Sequence, residues 1–510
     1  MRSNLILGAA VVAALAGGNA VAASSSIDIY ASGSSAMSSF FSNDLKFSLC
    51  GGASVATATY LDSQATTYEP SFSAYQCTNA TTSTTYTLHY SAELGSTWGV
   101  FEAANPTSTR QFLTPSAAGC PAGSYTVKGK AATQAGAVWP TPGSTSYCTA
   151  TGYNHVTDSV TTNTNNILSP SAADIVVSDV EPDLFLSDNW PTANHDPSLR
   201  PAILGPTAPN AATILAATNL MNPVQGQIFQ VIAHGIPGST DGTAQPATPF
   251  NISSASLRAI LVGSYRKWVE VPEVGAADTA TGGTPINICR RDHGSGTEIG
   301  ADITFTGYTC NQSTGGTVAN TQPVLAGTVT SYTGATSPWV YEAPASADMK
   351  ACVSSTPGTI GFLSNTTKDT GFNYQILYVD GYAPTAHNAA AGLYRYAYDV
   401  NMAATGNATA GAGAAATLVA DAQNWAALNT DGFAKEAGTY AEGGNGVVGG
   451  FVPTTIGNVT LYTIPGTDGG AVNSGSGATE LVTSASGVTV EALFNRGQDN
   501  CNTLTNTNTN

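Results

Sequence analysis

Ile286-Asn-Ile-Cys-Arg-Arg-Asp-His-Gly-Ser-Gly-Thr-Glu-Ile-Gly-Ala301 is the stretch that decides the reading of this chain. Ile286 to Cys289 reads as a short buried strand that runs into Arg290 and Arg291. Gly294-Ser295-Gly296-Thr297 then opens a helix. A helix start presents unpaired N–H groups and a partial positive charge. Glycine lets the backbone approach a ligand closely, and the serine and threonine hydroxyls add donors. The guanidinium beside them offers a charge-assisted, bidentate clamp. A strand end, small residues, a helix start and one arginine together suit an anion.

Three other segments repeat the design. Ser26 to Ala31 alternates as a strand, Gly33-Ser34-Ser35-Ala36 breaks it, and a helix follows over 36–49. Tyr86 to Ser91 is strand-like and precedes the helix-opening turn Gly95-Ser96-Thr97. Asp174-Ile-Val-Val-Ser178 is a buried strand that ends at Asp179. Further strands are expected at 227–233, 359–363 and 375–379, with helices at 256–262 and 412–436. Strands alternating with helices imply an α/β fold with largely parallel sheets, whose ligands sit at the strand carboxyl ends. The four junctions would then form one anion cradle. Asp179 has a second reading, as cap of a helix over 180–185.

The whole chain bounds the partners. Of 510 residues, 42% are hydrophobic and 10% charged, with 16 Lys+Arg against 33 Asp+Glu. A net charge of −17 argues against nucleic acid and against anionic membrane surfaces. Arg2, the apolar stretch 5–15 and Ala20-Val21-Ala22 form an export signal ending at residue 22, with no cysteine beside the cleavage point for a lipid anchor. No later segment is long and apolar enough for a membrane helix, so an integral membrane protein is not expected. The protein is accordingly placed in the periplasm or outside the cell. Eight cysteines suit an oxidising compartment, and neighbours in sequence, Cys50–Cys77, Cys120–Cys148 and Cys289–Cys310, are the simplest pairs. The six histidines show no HExxH spacing and no GxSxG is present, so no catalytic residue, metal or cofactor is expected. Residues 51–170 are rich in Ser, Thr, Ala and Gly and read as insertions of loops and short strands.

Taken in order from Ile27 to about Phe451, these motifs resemble the phosphate-binding proteins of ABC phosphate transporters, in the type II periplasmic binding-protein fold. Arg290 to Thr297 is similar to that family's signature, and 174–179 to its strand ending in the ligand carboxylate. Residues 95–100 are similar to its first-lobe Gly-Ser turn. Ile252 to Trp268, and Gly358 to Phe362, resemble its second-lobe helix and its return strand. The resemblance implies two lobes with a ligand cleft between them and large insertions in the first lobe. It divides the chain into 23–222 (first lobe), 223–365 (second lobe), 366–495 (return to the first lobe and an Ala/Gly-rich extension) and a 496–510 tail. The chain would cross between lobes near Pro223 and near 362–374. The ligand positions implied are Ser35, Ala36, Ser96, Asp179, Arg291, Ser295, Gly296 and Thr297. The ligand implied is inorganic phosphate or arsenate, and the partner an ABC permease. Asp179 would accept the proton that monohydrogen phosphate carries and sulfate lacks. His293 stands where the family has an acidic partner for the arginine, and Trp98 where it has a small residue; both are candidate modulators. Two other uses compete: a secreted surface or matrix protein on the same scaffold, and a secreted phosphatase.

Overall fold

The computed structural model describes residues 25–423, apart from 38–39, 43–44, 53–54, 63–71, 94, 117–119, 121–122, 127–132, 137–142, 149–152, 155–157, 161–166, 186–209, 243, 293, 307–323, 326–337, 344, 365–370, 385–387 and 390–392. It also describes short strand segments at 439–440, 452–456, 459–463, 494–495 and 505–506. The export signal expected at 1–22 lies outside these residues.

Along the chain run β1 (Ser26–Gly33), β2 (Ala58–Asp62), β3 (Phe72–Asn79), β4 (Thr84–Ser91), α1 (Gly95–Ala104), β5 (Thr109–Leu113), β6 (Thr145–Cys148), β7 (Leu168–Ala172) and β8 (Ile175–Ser178). There follow α2 (Ala211–Leu220), β9 (Asn222–Ile228), β10 (Gln230–His234), α3 (Ser254–Leu261), β11 (Asn287–Arg291), α4 (Gly296–Ala301) and β12 (Val340–Ala343). The last labelled elements are α5 (Ser346–Ser355), β13 (Thr359–Leu363), β14 (Gln375–Ile376), β15 (Ala397–Ala404) and α6 (Ala412–Gln423).

Apart from β5 and β7, which pair antiparallel with each other, the labelled strands form two mixed sheets, each the centre of one α/β lobe. The first has the order β9-β15-β8-β1-β4-β3-β2-β6, with the short strand Thr439–Tyr440 beyond β9. The second has the order β12-β11-β13-β10-β14, with Val324–Leu325 beyond β12. At the heart of the first sheet β1 lies parallel to both β8 and β4. At the heart of the second β11 lies parallel to both β12 and β13. β8, Ile-Val-Val-Ser, is the apolar, β-branched run among these strands, and all four of its residues are buried.

The run read as one strand over 227–233 is two. β9 ends at Ile228 in the first sheet, and β10 starts at Gln230 in the second. Phe229 between them packs on Tyr396 at 5.1 Å between rings. The return crossing lies after β14, because Gln375–Ile376 still pairs with β10. The division expected at 222/223 therefore falls inside a first-sheet strand, and that at 365/366 ahead of a second-sheet strand. β15 was not anticipated: Asp399 and Asn401 interrupt its apolar residues, yet both are buried between β8 and β9.

The insertion expected over 51–170 largely extends the first sheet. β3, β2 and β6 line up beyond β4, and two disulfides brace this edge, Cys50–Cys77 and Cys120–Cys148. The third expected pair is corrected: Cys289 bonds Cys352, not Cys310. Cys289 sits in β11 and Cys352 in α5, which packs across β11 and β13, so the partner 63 residues on is the near one. Cys310 lies outside the described residues.

Candidate functional site

The carboxyl ends of β1 and β8 meet the carboxyl end of β11 across the boundary between the lobes, and the side chains singled out in the sequence gather there. In the first lobe the turn after β1 is set by Gly33, whose φ of +128° suits glycine and whose added Cβ would lie 1.9 Å from the Val177 carbonyl oxygen. That close approach lets the Ser34 N–H reach Val177 O at 3.1 Å and starts the turn Ser35–Met37, which contains Ala36. Ser96, in the first turn of α1, donates its hydroxyl to Asp179 in a short hydrogen bond. The Asp179 N–H donates back to Ser96 Oγ at 3.2 Å. Asp179 is 3% exposed. The helix read over 180–185 is a single 3-10 turn, Pro182–Phe185.

From the second lobe come Arg291, at the end of β11, and the Gly-Ser-Gly-Thr start of α4. Gly296 touches Asp179 so closely that an added Cβ would lie 2.1 Å from Asp179 Oδ1. The neighbouring turns are joined by the Thr97 N–H, which donates to Gly294 O at 3.1 Å, and by the Thr97 hydroxyl on the same oxygen. Arg291 is 2% exposed; its Nη1 donates to Ser346 Oγ at 3.2 Å, and Ser346 Oγ lies 3.0 Å from Ser35 Oγ. Thr297 is buried and its Oγ1 has no hydrogen-bond partner among the described residues. Ser295, also buried, N-caps α4. Behind the site the Tyr396 and Tyr398 hydroxyls donate to Thr297 O at 2.7 Å and Gly300 O at 2.9 Å. The first-sheet strand thereby holds the second-lobe helix.

Electrostatics at this junction centre on one guanidinium. Burial pushes the Asp179 carboxyl above its ordinary value, while the Ser96 and Ser34 hydroxyls and Arg291 pull it down. Glu298 accepts the Arg291 N–H at 3.0 Å. Burial and the nearby Asp302 push Glu298 well above the usual carboxylate range, and Arg290 opposes them. That shift disfavours the charged form of Glu298, whose contact with Arg291 is to the backbone N–H. Arg290 is itself paired with Glu342 at 3.3 Å.

Ser35, Ser96, Asp179, Arg291 and Gly296 are thus brought together, with Ser295 and Thr297 on the same helix start. His293 lies outside the described residues. The Trp98 ring packs 4.6 Å from the Arg110 guanidinium and against Phe101, inside the first lobe. Sequence reasoning passed over Ser346 and Glu298. Ser346 follows β12 in Val340-Tyr-Glu-Ala-Pro-Ala-Ser346, a fifth strand–small residue–helix junction that carries no glycine to flag it. Glu298 looks like an ordinary first-turn acid until its burial is seen. Among the described residues no cluster of His, Cys, Asp and Glu could hold a metal ion, and no helix is long and apolar enough to cross a membrane.

No protein-family model and no curated protein matches this chain. Among solved structures it is similar to a putative phosphate ABC transporter substrate-binding protein from Clostridium perfringens, solved with bound phosphate. The two are 14% identical with a TM-score of 0.30, over 56% of this chain and 86% of that one. It is also similar to an ABC-type phosphate transport receptor from Vibrio cholerae, at 14% identity and a TM-score of 0.26, over 42% and 71% of the two chains. A third is a high-affinity periplasmic phosphate-binding protein bound with phosphate, at 14% identity and a TM-score of 0.31, over 55% and 78%. Likeness at this level carries no argument about a ligand, which has to come from the side chains at the junction.

Proposed function

We propose that this protein is an exported solute-binding protein that holds phosphate, or a similar protonated tetrahedral oxyanion such as arsenate, between its two lobes for uptake or scavenging. The observation that carries the reading is the meeting of Ser35, Ser96, Asp179, Arg291 and Gly296 from distant parts of the chain at facing sheet edges. Arg291 supplies the charge, and Ser35, Ser96, Ser295 and Thr297 the hydroxyl donors. The N–H groups of Ala36 and Gly296 complete the cage. Asp179 is the selective element: beside an anion a carboxylate is tolerated only where it accepts a proton from that anion. Monohydrogen phosphate has such a proton and sulfate has none. Three disulfides among the described residues support export to an oxidising compartment. An ABC permease is the partner this role would use.

Equilibrium dialysis of phosphate-stripped protein against labelled phosphate tests the reading. The wild-type chain should retain phosphate and Arg291→Met should lose it, since a buried partner of an anion is worth about 2–5 kcal/mol when removed. Equal retention by both, or by neither, would rule the proposal out.

A further inference from the structure

Ser346 is a second-lobe residue that touches Arg291 in its own lobe and Ser35 in the first. It begins α5, ten residues long, and enters from β12, the strand next to β11. Its oxygen accepts from Arg291 Nη1 at 3.2 Å and lies 3.0 Å from Ser35 Oγ in the first lobe. Arginine has no acceptor, so the polarity of the chain is fixed at that end: Arg291 donates and Ser346 accepts. The Ser346 hydroxyl proton is then free to point to Ser35 Oγ. That leaves the Ser35 proton free to point to an acceptor of its own.

We infer that Ser346 is a positioning residue for the oxyanion. It relays the charge of Arg291 through its hydroxyl to Ser35, across the boundary between the lobes, and makes Ser35 a stronger donor to the ligand. Hydrogen bonds in series polarise one another, most of all where water is excluded. The relay needs the second-lobe Arg291–Ser346 pair and the first-lobe Ser35 within 3.0 Å of each other, so it exists only with the lobes together. Ser346 therefore links the ligand's charge to lobe closure without touching the ligand. This inference rests on the oxyanion reading of the site and adds the residue that organises it.

A double-mutant cycle with inorganic phosphate as the probe tests it. Ser346→Ala should weaken phosphate binding by about tenfold, and Ser346→Thr, which keeps the hydroxyl, should restore most of the loss. Ser35→Ala should lower affinity as well. Once the relay's end is gone Ser346 has nothing to serve, so the double variant should bind little worse than Ser35→Ala alone. The ligand-free thermal unfolding midpoint of Ser346→Ala should stay close to wild type. The inference is overturned by unchanged affinity in Ser346→Ala, or by losses that multiply in the double variant. It is overturned too by a threonine variant no better than alanine. A wild-type chain that binds no phosphate would instead remove the oxyanion reading beneath it, a result separable from all of these.

Discussion

Gly296→Ala probes the contact between the α4 start and Asp179 across the lobe boundary. The new Cβ would lie 2.1 Å from Asp179 Oδ1, and 3.0 Å from both Asp179 Cγ and Val180 Cγ2. Ordinary contact begins at 3.4 Å, so the carboxylate and the helix start must separate by roughly 1.3 Å. Asp179 has little room to yield, because it ends a fully buried strand and its N–H is held by Ser96 at 3.2 Å. The displacement falls instead on the lobe boundary. A shift of that size would carry the Thr97–Gly294 bond, now 3.1 Å, beyond hydrogen-bonding range. Overpacking of this kind costs about 1–3 kcal/mol. Charged to the closed form alone, that is a loss of about 5- to 150-fold in phosphate affinity. Because an opened cleft relieves the clash, the urea midpoint of the ligand-free protein should move little. Gly413→Ala serves as control: an added Cβ there meets nothing within 4 Å, and affinity should be unchanged. Affinity within twofold of wild type in Gly296→Ala, or an affinity loss matched by an equal loss of ligand-free stability, would refute the reasoning.

Three other perturbations have worked outcomes. Burial raises Glu102 to about 7 from an ordinary 4.5, so its contribution to stability is complete below pH 4.5 and is lost as the pH climbs to about 7; Glu102→Gln should remove that slope, about 3 kcal/mol in urea unfolding compared at the two pH values. Cys352→Ser opens a bridge between residues 63 apart and should lower unfolding free energy by about 4 kcal/mol, read by denaturant titration under oxidising conditions. Asp179, whose carboxyl is raised by burial, takes up a proton at higher pH than an exposed aspartate and then becomes a donor; sulfate binding should therefore strengthen as the pH falls in a competition assay, and Asp179→Asn should show it already at neutral pH.

How much of this was legible in the sequence follows from range. β8 and β11 could be read because a short apolar run bounded by polar residues is a local signal, and the Arg-x-x-Gly-Ser-Gly-Thr segment marks its own turn. β15 could not, since burial of Asp399 and Asn401 depends on the strands either side, β8 and β9. Phe229 shows the same limit: a strand-like run, Gln227-Ile-Phe-Gln-Val-Ile-Ala233, hides the single residue at which the chain leaves one sheet for the other. For the candidate site, residue types suggested donors, and Ser35, Ser96, Asp179 and Arg291, which the structure brings together, were all named from motif position. Ser346 was not, because its role lies entirely in contacts with residues 311 and 55 positions away. The pairing of Cys289 was misread for a related reason: proximity in sequence stood in for proximity across a sheet and its helix.

Titration calorimetry of phosphate and of sulfate into stripped wild-type protein at neutral pH bears on the central claim with the fewest intermediaries. A buried aspartate acting as proton acceptor predicts saturation by one phosphate per chain, with sulfate weaker by about a hundredfold or more. Equal heats for the two anions, or none for phosphate, would contradict it.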